Sequence, residues 1–186
     1  MFILNPHICY TTLRQFIHHW DGVRMVTLKI LNLFNDEELK YRLVPQWRTV
    51  GEIFHHIGGH QYFVARGVLK ERWEPKPTEP DMDWSDHILR TTTTAESLSR
   101  WLQEVQSLVR EWWVDIDVSL LESIRDDNPW HRGIRGWLLL HHAYQDELHH
   151  RGQLTAIARQ IGKNVPIVFA EEYPDFVVED GSNDTS

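Results

Sequence analysis

The segment Leu138-Leu139-Leu140-His141-His142-Ala143-Tyr144-Gln145-Asp146-Glu147-Leu148-His149-His150-Arg151-Gly152-Gln153-Leu154 concentrates the side chains of this sequence that could do chemistry. Two registers of polar residues, each spaced by one helical turn, run through it: His141, Gln145, His149 and His142, Asp146, His150. At about 100° per residue, Leu139, Ala143, Leu154, Ile157 and Ile161 fall within roughly 60° of one another. Asp146 and His150 lie on or beside that apolar stripe, whereas His141 points to the opposite side and His149 toward solvent. His142 and Gln153 lie at its edge. An acid and an imidazole one turn apart therefore face an apolar interior. Burying an unpaired carboxylate is expensive, and side chains at i and i+4 come close enough to share one ion. A divalent cation would offset the carboxylate charge and use the imidazole lone pair; a metal-free Asp–His hydrogen bond is the simpler alternative.

A second helix supplies further candidates. His56 and His60 are again one turn apart, beside a stripe of Ile53, Ile57 and Val64. Periodicity slightly favours His60 as the more inward, and local pattern alone does not choose between them. One histidine from this helix with Asp146 and His150 gives three N/O ligands. Three protein ligands leave positions open for water or substrate, which is the catalytic pattern rather than the closed structural one.

These residues need long helices to position them. The first helix is expected from about Thr12 to Leu33, ended by Asn35-Asp36-Glu37-Glu38, with Pro45 forbidding a continuous helix through the connector. The second begins at a capping box, Thr49-Val50-Gly51-Glu52, and continues to about Arg72. Pro75, Pro77 and Pro80 then mark an irregular crossover to about Thr93, with room for a short turn between Trp84 and Leu89. So long a connection leaves the third helix free to run parallel to the second. The third helix is expected from a capping box at Thr93-Thr94-Ala95-Glu96, and the fourth from near Ile134 to Gly162. Strand signals after that are weak. The expected fold is an all-α four-helix bundle over residues 1–166, with an extended acidic tail over 167–186.

Composition bounds the remaining possibilities. The 186 residues, 41% hydrophobic and 25% charged, suit one globular domain. The single cysteine, Cys9, excludes an internal disulfide framework and a cysteine-based zinc knuckle. The net charge of −8 is concentrated in six acids from Glu171 onward, leaving the body nearly neutral. Such a balance argues against nucleic acid, which selects a basic face, and against an anionic membrane surface. No apolar run approaches a membrane span. The N-terminus lacks the features of a secretory signal, so a cytoplasmic address is expected.

Trp47-Arg48-Thr49-Val50-Gly51-Glu52-Ile53-Phe54-His55-His56-Ile57 resembles the segment through the first metal ligand of DinB-like (damage-inducible, YfiT-like) proteins. Asp146-Glu147-Leu148-His149-His150-Arg151-Gly152-Gln153-Leu154 is similar to their fourth-helix signature, and the Asp36-Glu37-Glu38-Leu39 turn and Ile161-Gly162 also match. The resemblance covers the chain up to about Pro166. It implies an up-down-down-up bundle with ligands His56, Asp146 and His150, so on this ground His56 displaces His60. The middle ligand of the family is usually histidine; Asp146 hardens the site, admitting manganese or iron beside zinc or nickel. The resemblance further implies a homodimer and a metal-dependent enzyme of thiol S-transferase or hydrolase type, acting on a small molecule such as a low-molecular-weight thiol. The alternative is a non-catalytic, metal-stabilised protein of the stress response. Arg151 is expected to make a surface or helix-end contact.

Overall fold

The computed structural model describes residues 13–73, 86–114, 116–127 and 133–165. Cys9, the prolines of the crossover, the turn at Asn128-Pro129 and the expected tail over 167–186 lie outside the described residues. The elements in chain order are α1 (Leu13–Leu31), a short 3-10 turn (Glu38–Lys40), α2 (Val50–Leu69), α3 (Asp86–Thr91), α4 (Ala95–Val114), α5 (Ser119–Glu122), strands β1 (Ile124–Arg125) and β2 (Ile134–Arg135), and α6 (Gly136–Gln160). Among the described residues the protein is all-α apart from two short antiparallel strands, in which Ile124 faces Arg135 and Arg125 faces Ile134. No helix among the described residues is long and apolar enough to cross a membrane.

Four long helices build the core. α2 packs against both α6 and α4, and α1 packs against the same two. Each contributes a stripe at helical spacing: Phe16, Trp20, Val23 and Ile30 from α1, Leu98, Leu102, Val105 and Val109 from α4, and Leu140, Ala143, Leu154 and Ile157 from α6. α2 is different, because 17 of its 20 residues are buried. A helix covered on almost every side must admit close neighbours, and Gly58 shows how. A Cβ there would lie 2.5 Å from the Trp101 ring and 2.9 Å from a Leu102 methyl, so its absence lets α4 approach.

The helix ends follow the capping chemistry, with one shift. Thr49 and Glu52 form the expected reciprocal box, Glu52 N–H donating to Thr49 Oγ1 and Thr49 N–H to Glu52 Oε2. At α4 the box sits one residue later than the sequence suggested. Thr94, not Thr93, is the cap, exchanging bonds with Ser97, while Glu96 pairs with Arg100. Asp36 Oδ1 accepts from the Ala95 N–H, so the turn after α1 also serves the start of α4. α6 begins two residues later than expected, because Ile134 and Arg135 are taken by the strand pair. Its end is a left-handed glycine, Gly162 at φ 81°, with Lys163 N–H returning to Ala158 O and Gly162 N–H to Arg159 O.

Candidate metal centre

α2 and α6 lie side by side, and their facing histidines and acid meet. His56, Asp146 and His150 each offer a ligand atom, and these atoms all lie within 4.8 Å of one another. His56 Nε2 is 3.3 Å from Asp146 Oδ2 and His150 Nε2 is 3.5 Å from Asp146 Oδ1. Donors around one tetrahedral ion with bonds of about 2.1 Å stand about 3.4 Å apart, so the cluster needs only small side-chain adjustments to hold one. The set contains one carboxylate and two imidazoles, a combination suited to divalent transition metals.

The protonation states suit metal ligands. Burial disfavours the Asp146 carboxylate, but hydrogen bonds from His150, His56 and His60 outweigh it and hold its pKa below the usual carboxylate range. Burial lowers the pKa of His56, opposed by its contact with Asp146 and reinforced by the charge of Arg48. An ionised acid and a neutral imidazole are the forms a metal ion binds.

Two neighbours orient these ligands. Gln153 Oε1 accepts from His150 Nδ1 at 2.8 Å, which holds the ring with Nε2 turned toward Asp146. The Gln153 amide is fixed in that sense because its Nε2 donates to His149 Nε2 at 3.1 Å. His60 Nδ1 donates to Asp146 Oδ2 at 2.9 Å, and its ring stacks on His56 at 5.4 Å between centroids. His60 is therefore the more buried of the α2 pair, as periodicity suggested, yet it acts on Asp146 while His56 joins the three-residue cluster. Hydrogen bonds of this kind fix tautomers and ring orientation at metal sites. His142 is exposed, with its ring edge-on to His60. His149 is exposed and His141 half-buried against Tyr144. Arg151, expected at the surface, is buried instead.

Beside the cluster lies a pocket of about 490 Å³ whose lining includes Trp47, Arg48, Glu52, His55, His56 and Leu89. The volume falls within the range of small-molecule sites. His55, adjacent to the ligand, is spent on structure: Thr92 Oγ1 donates to Ile88 O and accepts from His55 Nε2.

One polar group escaped the sequence reading. Glu147, next to Asp146, is buried and accepts from Trp20 Nε1 at 2.9 Å, Thr27 Oγ1 at 2.8 Å, Arg24 Nε at 2.8 Å and Arg24 Nη2 at 2.9 Å. Arg24 also donates to Gln61 Oε1 at 2.6 Å and Leu102 O at 3.3 Å, linking all four long helices. The signal was present. Glu147 stands four residues after Ala143 and seven before Leu154, which puts it on one flank of the apolar stripe as Asp146 is on the other.

The family model described as the DinB family matches residues 9–180. The chain belongs to the DinB family. Among curated proteins, the uncharacterized protein YrdA of Bacillus subtilis is 28% identical over 178 residues, 91% of this chain and 97% of that one. Two crystal structures of DinB-like proteins align with a TM-score of 0.63. YjoA of B. subtilis is 18% identical, covering 83% of this chain and 97% of its own. A protein from Bacillus cereus is 23% identical, covering 84% and 97%. At these identities the two structures show the shared fold alone.

Proposed function

We propose that this DinB-family protein is a metal-dependent enzyme acting on small molecules. His56, Asp146 and His150 hold one divalent transition metal ion, zinc or nickel, with manganese or iron also compatible with the carboxylate. Once bound, the ion supplies Lewis acidity and lowers the pKa of a coordinated water or thiol, making a nucleophile at neutral pH. The chain's own residues hold the geometry: Gln153 fixes His150, and His60 fixes Asp146. The observation that carries the reading is that His56 belongs both to the ligand cluster and to the wall of the open pocket. A structural ion would not need such access. The reaction class is transfer of a low-molecular-weight thiol onto an electrophile, or hydrolysis of a small molecule. The bundle is of up-down-down-up topology, favoured by the long connection between α2 and α4, and the active form is a homodimer.

The test is to strip the metal with a chelator and assay thiol conjugation to a model electrophile. Activity that disappears while helicity by circular dichroism persists, and returns with added metal, supports the proposal. Absence of both conjugation and hydrolysis across common thiols and ester substrates, in fully metal-loaded protein, overturns it.

A further inference from the structure

Charge and apolar surface in the pocket are distributed unevenly. Glu52, its acidic lining residue, is committed: one oxygen accepts the Thr49 N–H and also lies 3.7 Å from Arg42 Nη2. Arg48, its cationic lining residue, has no hydrogen bond or ion pair among the described residues, and its charge reaches His56. Among the described residues the Arg48 charge at this pocket is therefore not paired with a carboxylate, in a protein whose net charge is −8. Large exposed apolar side chains are few among the described residues, and two of them, Trp47 at 46% and Leu89 at 39%, line this pocket. Exposed aromatic and aliphatic surface grouped around a charged residue marks a place where ligand displaces water.

We propose that the pocket takes an organic anion, its carboxylate or equivalent oxyanion paired with Arg48 and its apolar body laid between Trp47 and Leu89, so that its reacting end meets the cluster at His56. The inference rests on the proposed enzyme reading for what happens at that end, but not for binding. Arg48 is exposed and Trp47 precedes it in the chain, so both belong to the connector before α2 and not to the metal ligands. A neutral substrate of the same shape would keep the apolar contact and lose the ion pair.

The experiment uses 3-phenylpropionate and its neutral analogue 3-phenylpropionamide, titrated by NMR into metal-loaded and metal-stripped full-length protein. The acid is expected to bind about two- to five-fold tighter than the amide, the range for a solvent-exposed ion pair. The preference should shrink in high salt. Arg48→Ala should abolish it while leaving amide binding unchanged, Arg48→Lys should retain part of it, and Trp47→Ala should weaken both probes alike. Equal binding of acid and amide to the wild type, or an acid preference that survives Arg48→Ala, overturns the inference. A preference that persists in protein unable to bind metal supports the inference while removing the enzyme reading. Metal binding with no preference does the reverse.

Discussion

Replacing Glu147 with alanine removes the carboxylate that pairs with the buried Arg24 among the described residues and takes an acceptor from three side chains at once. Thr27 keeps its bond to Val23 O at 3.1 Å, and Arg24 keeps Gln61 and Leu102 O. Trp20 Nε1 loses its acceptor, and Arg24, 2% exposed, is left as a buried cation without a counter-charge. Breaking one side of a buried ion pair costs about 3–5 kcal/mol, and an unsatisfied N–H adds about 1 kcal/mol at the low end of its range. A loss of about 4–6 kcal/mol is a large share of the roughly 5–15 kcal/mol by which domains are stable. Urea unfolding followed by tryptophan fluorescence reads this as a lower midpoint at unchanged slope. The double replacement Arg24→Leu with Glu147→Leu removes both charges and should recover most of the loss, because apolar substitutes for buried pairs are often neutral. A loss below about 1 kcal/mol for Glu147→Ala refutes the reasoning. So does a double variant as unstable as the sum of its parts. Glu147 faces α1 whereas Asp146 faces α2, so folded Glu147→Ala protein should keep its metal.

Other consequences are checked more simply. Gly58→Ala places a Cβ against Trp101 and Leu102, and overpacking there should destabilise by about 1–3 kcal/mol in the same unfolding assay. Burial lowers the pKa of His55 below the ordinary 6.5. The unfolded chain therefore takes up this proton first, and stability present above about pH 6.5 should decline as pH falls below it. His55→Gln should flatten that part of the profile measured on metal-free protein. His60→Ala should weaken metal affinity about 10- to 100-fold by releasing Asp146, with His60→Asn restoring part of the loss; an unchanged affinity in isothermal titration calorimetry would leave His60 without this role.

Much of the fold could be read from spacing because the long helices carry regular apolar stripes and side-chain caps. The start of α2 was legible since Thr49 and Glu52 are a reciprocal pair three residues apart. The start of α4 lies one residue later than expected because four successive threonines, Thr91 to Thr94, offer alternative caps, and Ser97 rather than Glu96 completes the box. The short strands were not legible: two residues each cannot show an alternating pattern, and the bond from Gly136 N–H to Ser123 O that extends their pairing joins residues far apart in sequence. For the candidate site, helical phase singled out Asp146 and His150 and ranked His60 as inward of His56. Phase alone could not tell which imidazole joins the cluster, since both reach the same carboxylate oxygen. Glu147 was overlooked because its partner Arg24 sits on another helix, and the pocket because Arg48, Trp47 and Leu89 meet only in three dimensions.

The central claim is that one ion is held between α2 and α6. Metal content per chain of the purified protein, set beside His56→Ala, Asp146→Ala and His150→Ala variants of unchanged helicity, tests it most directly. About one equivalent of a divalent transition metal is expected in the wild type, and its loss, or a much weaker affinity, in each variant. Full metal retention in the variants, or a wild-type protein that takes up none of zinc, nickel, manganese or iron, would contradict it.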